Sequence, residues 1–152
     1  MPEKSSQTGA IAVNRSARHE FFILEKYEAG MELKGSEVKS LRDGGLNLKE
    51  GYAHVSRGEM FLEGVHIQPY EHASFKLDPV RSRKLLMHRR EIRRIEEEVR
   101  RKGLTLIPLQ VYFKHGRAKV ELGLAKGKKA FDKREAIKKR EAERAMRRGA
   151  AR

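Results

Sequence analysis

The chain has 152 residues and carries 35 Lys and Arg against 21 Asp and Glu, which gives a formal net charge of +14. It contains no cysteine, so disulfides, thiolate metal sites and a cysteine nucleophile are excluded. No apolar run approaches the ~20 residues of a membrane-spanning helix, and no apolar segment of a secretory signal follows the first charges. We therefore expect a cytoplasmic protein that binds a polyanion, and nucleic acid fits better than a membrane surface because there is no Trp.

The N-terminal part of the chain predicts two strands and a short helix. Residues 1–10 are expected to form a disordered leader. The segment EFFILEKYEAG at 20–30 is rich in aromatic and β-branched residues and predicts a strand that its final glycine ends. Apolar and charged residues alternate in 31–35 and predict a return strand. A short helix is expected over 36–42, where the following Asp-Gly-Gly would end it.

The middle of the chain predicts a hairpin and then a long helix. Segments 51–55 and 60–67 flank a turn that contains glycine. The segment RSRKLLMHRREIRRIEEEVRRKG at 81–103 ends in a glycine, a natural helix stop, and its helix would begin near either Asp78 or His88. Its apolar stripe at helical spacing consists of Leu85, Ile92, Ile95 and Val99.

The last third predicts a second hairpin and a basic tail. Apolar and other residues alternate in 109–114 and 119–124 around a turn at 115–117, which predicts two strands with one buried face. Short strands, Gly-rich turns and one long helix favour a mainly β fold, a small antiparallel barrel or sandwich with flanking helices. We expect this body to span residues 11–125. Residues 126–152 form a tail with 12 Lys and Arg against 4 Asp and Glu.

The chain lacks the usual signatures of an enzyme. It has no GxSxG or HExxH motif, and its six histidines include no helical pair four residues apart. The glycine-rich segment 123–129 has the wrong spacing for a phosphate-binding loop and lacks its Ser or Thr. The carboxylates at 96–98 are consecutive on a helix and would point in different directions. We expect no catalytic residue, no metal site and no cofactor.

Three long segments together resemble one protein family. They are NRSARHEFFILEKYEAGMELKGSEVKSLRDG at 14–44, DPVRSRKLLMHRREI at 78–92 and GLTLIPLQVYFKHGRAKVELGLAKGKKAFDKR at 103–134. In their order, spacing and residues, these segments closely resemble the sequences of the SmpB family, the SsrA-binding proteins of bacterial trans-translation. The resemblance covers almost the whole chain from Ile11 onward.

The resemblance implies both a fold and a function. The fold would be an oligonucleotide-binding-type (OB-like) antiparallel barrel with helices around it and a tail that is unstructured in isolation. The function would be that of a non-enzymatic adaptor, which binds the tRNA-like domain of transfer-messenger RNA (SsrA) and delivers it to stalled ribosomes. The tail would occupy the empty decoding site and messenger channel of the small subunit. The expected partners are this RNA and the ribosome, with the protein a monomer in a one-to-one RNA complex and no membrane involved.

The resemblance also implies which residues of the barrel contact RNA. A water-facing strand-end carboxylate is the alternative interpretation of Glu28, although an acidic residue can accept a hydrogen bond from a base or a ribose 2′-hydroxyl. Leu85 is expected to pack inward while Leu86 covers an unstacked base. Tyr52 by stacking and Lys119 by charge are further candidates, and a solvated face is the alternative for both. The full set of expected RNA contacts is Asn14, Arg15, Arg18, His19, Glu28, Tyr52, Arg81, Arg83, Lys84, Leu86 and Lys119.

The tail exceeds a generic basic arm in two respects. Segments 127–129 and 132–134 match the family's junction motif, and Phe131 between them could stack on a ribosomal base. Pairs of Glu and a basic residue four positions later favour a helix by about 0.2–0.5 kcal/mol each, too little to hold it in free solution. We therefore expect a tail that is disordered alone and helical on the ribosome. Its expected ribosome contacts are Lys126, Gly127, Lys128, Lys129, Phe131, Asp132, Lys133, Arg134, Ile137 and Met146.

Two other classes of protein share part of this pattern. Composition alone favours a ribosomal or assembly protein with a basic extension, which would bind ribosomal RNA stably without a tRNA-like ligand. An RNA-modifying enzyme is a remote alternative, because the chain lacks a nucleophile, a metal motif and a cofactor motif.

Overall fold

The computed structural model describes residues 9–150, and within that range the side chains of 129–136 and 150 are left out. Residues 1–8, which hold most of the predicted leader, and 151–152 lie outside the described residues. The first strand already begins at Ala10. The strands are β1 (Ala10–Val13), β2 (Phe21–Met31), β3 (Leu46–Asn47), β4 (Tyr52–Ser56), β5 (Glu59–Glu63), β6 (His66–Ile67), β7 (Arg83–Leu86), β8 (Thr105–Lys114) and β9 (Arg117–Gly127). The helices are α1 (Ala17–Glu20), α2 (Gly35–Arg42), α3 (Arg89–Lys102) and α4 (Lys128–Ala150).

The sheet closes on itself as an antiparallel barrel. Its strand order is β1-β8-β4-β5-β7-β2-β9, and β9 also pairs with β8. Every pairing in it is antiparallel, and strand β1 is attached to β8 outside the ring. Strands β3 and β6 form a separate two-stranded ladder. The expectation of a mainly β, OB-like barrel with flanking helices is confirmed.

The hairpin of β8 and β9 forms as predicted, but it buries residues on two sides. Its two turn residues, His115 and Gly116, have φ of 52° and 76°, as a tight two-residue turn requires. Irregularities between 108 and 110 in β8, and between 23 and 25 in β2, shift the alternation of side chains. As a result Leu109 joins a small second cluster outside the barrel. The buried members of that cluster are Ala17, Ile107, Leu109 and Ala125.

The long helix begins at the later of its two expected starts. Helix α3 begins at Arg89 with His88 as its N-cap and ends at Gly103, whose φ is 64°. The segment before it is strand β7, so the start near Asp78 is wrong. Leu85 does not extend the helical stripe but pairs with Met31 and Met60 in the core. Strand alternation therefore turns Leu85 inward and leaves Leu86 51% exposed.

Two other strand boundaries differ from the prediction. Strand β2 continues through Met31, and residues 32–34 form no return strand. The second strand of the first hairpin ends at Glu63 because Gly64 turns the chain with φ of 70°. A Cβ at Gly64 would lie 2.5 Å from the Glu50 carbonyl oxygen, so a side chain does not fit there. The following pair, His66–Ile67, joins β3 instead.

A buried ion cluster joins α2 to β7. Glu37 and Arg83 are 4% and 1% exposed, and the Arg83 Nε donates to the Glu37 carboxylate at 3.0 Å. The Arg81 guanidinium donates to both oxygens of the same carboxylate. Arg83 also donates to the carbonyl oxygens of Val65 at 2.7 Å and Pro79 at 2.9 Å. The pair of Glu37 and Arg83 therefore holds a helix, a strand and two loop segments together.

This environment keeps Glu37 ionised. Burial opposes its charge, but hydrogen bonds from Arg81 and the Lys34 backbone N–H, and the charge of Arg83, outweigh burial and lower the pKa of Glu37. Removing one partner of a buried ion pair leaves the other charge uncompensated, which costs about 3–5 kcal/mol. We therefore expect Glu37→Gln to lower the free energy of unfolding by roughly 3 kcal/mol, measured by urea denaturation followed by circular dichroism. The matched control is Glu98→Gln, which removes the carboxylate partner of two exposed basic residues, Arg101 and Lys102, and should change stability little.

The difference between wild type and Glu37→Gln should depend on pH. A carboxylate with a lowered folded pKa contributes stability above its unfolded pKa of about 4.3, and the contribution is lost as pH falls through the folded pKa. The unfolding free energies of wild type and Glu37→Gln should therefore converge as pH falls below the folded pKa of Glu37. A difference that stays constant down to acid conditions would contradict the role assigned to this carboxylate.

Candidate nucleic-acid interface

The basic turn between β1 and β2 is fixed to the barrel by Asn14. Its backbone N–H donates to the Leu109 carbonyl at 2.8 Å and its side-chain amide donates to the Pro108 carbonyl at 3.0 Å. The Ser16 hydroxyl donates to the Asn14 side-chain oxygen at 3.2 Å. Ala17, in the next turn of chain, is buried in the second cluster. The polar atoms of Asn14 thus position the turn rather than face solvent.

The remaining polar residues of the turn are exposed beside a groove. Arg15, Arg18 and His19 are all exposed, and the groove encloses about 580 Å³. Lys26 adds a further cation from β2, and the Gln110 amide donates to Glu121 at 3.1 Å across the base. Among the described residues that line this groove, Glu121 is the only acid. A basic, concave rim of this kind suits an RNA backbone.

Glu28 lies on the outward face of the barrel in a hydrogen-bonded cluster. The Tyr112 hydroxyl donates to its Oε2, and the Lys114 ammonium lies 3.4 Å from the same oxygen. The hydrogen bond from Tyr112, then the charges of Lys114 and Lys119, lower the pKa of Glu28 against the opposing effect of burial. Burial and the bond to Glu28 raise the pKa of Tyr112. Glu28 is therefore held as a carboxylate, an acceptor for amino or hydroxyl groups.

Leu86 and Lys119 flank Glu28's strand in one cross-strand row. Gly30 of β2 pairs with Leu86 on one side and with Lys119 on the other. A Cβ at Gly30 would lie 3.4 Å from the Leu86 Cβ, so Leu86 lies close over the bare glycine. An exposed leucine beside a lysine offers one apolar and one charged contact on the same outward surface.

Tyr52 of β4 and Lys84 of β7 lie on the outward faces of two strands that both pair with β5. Tyr52 is 47% exposed, and its ring centroid is 6.1 Å from that of His54, which is 6.0 Å from that of Phe61. Lys84 pairs with Glu59 at 2.7 Å. This face offers rings for stacking, while its lysine is already paired.

The two predicted arginines near β7 do not share the predicted role. Arg83 is buried and its guanidinium donates to Glu37 and two carbonyls, so the expectation that it contacts RNA is wrong. Arg81 is half-buried and is also held by Glu37.

Sequence reasoning also missed four residues of these surfaces, which are Lys26, Gln110, Tyr112 and Glu121. Lys26 and Glu28 are two residues apart, so strand alternation would have placed them on one face.

The tail begins inside the barrel sheet. Lys126 and Gly127 belong to β9 and pair with Phe22 and Phe21. Lys128 starts α4, its ammonium donates to the Arg18 carbonyl at 2.7 Å, and the same group lies 5.1 Å from the centroid of the Phe22 ring. The base of the tail is thus attached to the rim of the groove.

Within the predicted junction motif, the structure describes side chains only up to Lys128. The side chains of Lys129, Phe131, Asp132, Lys133 and Arg134 lie outside the described residues. Further along, Ile137 and Met146 are exposed, and Arg147 lies 4.0 Å from Glu143. Disorder of the tail in the free protein stays a prediction.

No cluster of three or more potential metal ligands occurs among residues 9–150 as far as their side chains are described. Over the same part of the chain, no helix combines the length and apolar character needed to cross a membrane.

Comparisons with known proteins agree in pointing to one family. A family model described as SmpB protein matches residues 11–152. An "SsrA-binding protein" of Desulforudis audaxviator is 59% identical over 150 residues, which cover 98% of this chain and 95% of that protein. One of Caldicellulosiruptor saccharolyticus is 57% identical over 146 residues, 94% of this chain and 92% of that protein. A chain in a solved structure described as "tmRNA-SmpB: a journey to the center of the bacterial ribosome" is 53% identical, covers 77% of this chain and 83% of its own, and has a TM-score of 0.65.

The Glu28 cluster makes a spectroscopic prediction. Because the hydrogen bond from Tyr112 is the largest influence that lowers the pKa of Glu28, Tyr112→Phe should raise that pKa toward its ordinary value. The measurement is an NMR titration of the Glu28 side-chain carboxyl. Tyr27→Phe, which removes a hydroxyl bonded to Glu25 instead, should leave the Glu28 titration unchanged. An identical titration in wild type and Tyr112→Phe would show that Tyr112 does not hold this carboxylate.

Proposed function

The chain belongs to the SmpB protein family, and from that premise we propose that it is an RNA-binding adaptor of trans-translation. It binds the tRNA-like domain of transfer-messenger RNA (SsrA) and delivers this RNA to stalled ribosomes in the cytoplasm, without catalysing a reaction itself. The observation that carries the proposal on this chain is the basic groove, where an anchored turn presents Arg15, Arg18 and His19 beside Lys26.

The groove binds the backbone of the RNA. Asn14 positions the turn, and the exposed cations of Arg15, Arg18 and Lys26 contact phosphates. An A-form RNA helix is recognised mainly through its shape, phosphates and 2′-hydroxyls, and a curved basic rim suits that mode of binding. The half-buried Arg81 contributes little to this interface, because its guanidinium is already paired with Glu37.

The outward face of the barrel adds contacts to bases and sugars. Glu28, held ionised, accepts from a base amino group or a ribose hydroxyl. Leu86 covers an unstacked base, with Lys119 placed across Gly30 from it. Tyr52 stacks, and Lys84 contributes once RNA phosphate displaces Glu59.

The tail, residues 126–152, occupies the empty decoding site and messenger channel. Its side chains there include the junction residues 126–134 and the exposed Ile137 and Met146. Lys128 links this action to RNA binding, because it holds the first turn of the tail against the Arg18 carbonyl. The direction in which the tail leaves the barrel is therefore set at the rim of the RNA groove.

The groove predicts a change in salt dependence. Arg18→Gln should weaken binding to the tRNA-like domain and lower the slope of log affinity against log salt by roughly 0.7–0.9, the contribution of one phosphate contact. Fluorescence anisotropy at several salt concentrations measures both quantities. The control Arg100→Gln removes a charge from α3 that is also exposed, and it should leave the affinity nearly unchanged.

The same assay separates this adaptor from a ribosomal or assembly protein. The wild-type chain should bind the tRNA-like domain more tightly than ordinary tRNA or a ribosomal RNA fragment at moderate salt. Equal affinities for all three RNAs would reject the adaptor.

The tail predicts a separation of binding from tagging. A chain that ends at Lys128 keeps all of β9 and the bond to Arg18, so it should bind the tRNA-like domain nearly as tightly as wild type. It should, however, support no peptide tagging on stalled ribosomes in a reconstituted translation assay. A full-length control with residues 129–152 in scrambled order keeps the charge, and normal tagging by that control would reduce the tail to generic electrostatics.

A further inference from the structure

A second cleft lies between α2 and the irregular segment that joins β6 to β7. It encloses about 570 Å³ and is lined by residues of 34–39 and 70–77. None of these residues lines the basic groove, which is built from the β1–β2 turn, β2, β8 and β9. The two concave surfaces are therefore built from separate segments of the chain.

Aromatic rings form one wall of this cleft. Phe75 is 74% exposed, the largest fraction among the exposed large hydrophobic side chains of the described residues. Tyr70 is half-buried, and its ring lies 5.5 Å from His72 at an interplanar angle of 70°. The Tyr70 carbonyl accepts from the Ala73 N–H at 3.0 Å and from the Lys76 ammonium at 2.8 Å, which closes the segment into a compact turn. The turn holds an apolar ring in water, where exposure of its face is unfavourable.

Cations form the opposite wall. Lys34 and Lys39 line the cleft, and the Lys39 ammonium lies 5.6 Å from the centroid of the Tyr70 ring. No carboxylate belongs to its lining among the described residues. The nearest exposed acid on the turn, Glu71, lies 4.0 Å from His72, and Glu37 below is buried and neutralised by two arginines. The cleft therefore combines one exposed and one half-buried ring with a net positive charge.

We propose that this cleft binds a segment of single-stranded RNA, with unstacked bases on Phe75 and Tyr70 and phosphates beside Lys34 and Lys39. Aromatic faces next to cations are what unpaired nucleotides require, because every base has a face that stacks and every linkage has a negative charge. A second copy of this chain fits poorly, since two chains of net charge +14 repel each other. An acidic peptide would satisfy the lysines but would leave the rings without a stacking partner.

The inference goes beyond the proposed function, because the groove binds a folded tRNA-like domain and this cleft binds an unpaired strand elsewhere on the protein. A single molecule could then hold two RNA segments at once. The cleft should remain accessible when the groove is saturated.

Photo-crosslinking of the full-length chain tests the proposal. The probe is an RNA octamer containing 4-thiouridine, added with and without a saturating amount of the tRNA-like domain. Trypsin releases residues 58–76 as one peptide, since no Lys or Arg lies between Arg57 and Lys76. We expect a cross-link in this peptide, localised by fragment ions to 70–75 rather than to Phe61, and we expect it to persist with the tRNA-like domain bound.

Two variants and two controls separate stacking from charge. Phe75→Ala should raise the octamer concentration needed for half-maximal cross-linking roughly tenfold, which is within the range for one lost base–aromatic stack. Lys39→Gln should lower its salt slope by about 0.7, the value for one phosphate contact with a single strand. Val80→Ala and Lys49→Gln alter an exposed apolar residue and an exposed charge outside the cleft, and both should leave the cross-link unchanged.

Three results would overturn the proposal. The cross-links could fall only within the β1–β2 turn or the tail, or Phe75→Ala could bind like wild type. Poly-glutamate could also displace the octamer from 70–75 as effectively as unlabelled octamer, which would assign the cleft to acidic protein segments. Binding of the tRNA-like domain is measured separately in every variant, so a failure of the groove cannot be mistaken for a failure of the cleft.

Discussion

The double pairing of strand β9 is the constraint on which the barrel and the outward surface that we propose for RNA binding depend. This strand is hydrogen-bonded to β2 along one edge and to β8 along the other, and the second pairing closes the ring. Its inward residues Val120, Leu122 and Leu124 are fully buried. Because alternate side chains take opposite faces, the same register turns Lys119 and Glu121 outward, and a slip of one residue would reverse both sets. Hydrophobic burial therefore decides which charges face outward, although none of those charges contributes to the core.

The arginines of this basic chain divide into two populations with different roles. Those of the β1–β2 turn project into solvent, while Arg83 is enclosed with Glu37 and two backbone carbonyls. A guanidinium suits both environments, because its five N–H donors can satisfy a carboxylate and carbonyls together or can bind phosphate. In the buried case the charge orients β7 and thereby presents Leu86 to solvent. An excess of positive charge is thus a poor guide to an RNA surface until each partner is known.

The sequence predicted the features that depend on neighbouring residues, and it misjudged those decided by distant ones. The β8–β9 hairpin followed from local alternation and a turn glycine, and the choice of Arg15, Arg18 and His19 as candidate contacts followed from the family resemblance of a contiguous segment. The residues RKLL fitted a helix through the seven-residue spacing of Leu85 and Ile92, but pairing with Met31 and Met60 makes them a strand. Arg83 was misassigned because its partner Glu37 is 46 residues away, and Tyr112 was missed because Glu28 is 84 residues away. The irregularities near Leu24 and Leu109 likewise arise from cross-strand register, which no local pattern records.

Because the tail is attached to the barrel at Lys128, the distance that its far end can reach can be calculated. A flexible chain of the 23 residues in α4 has a root-mean-square extension of about 25 Å, whereas the same residues as a helix span about 35 Å. The proposed ordering would therefore lengthen the tail, and it would replace many positions of the tail's end by one direction set by the first turn. A tail whose end samples many positions before binding and one position afterwards can report whether a path is unoccupied. It can extend only where nothing else occupies the path, and its length sets how far that vacancy must reach.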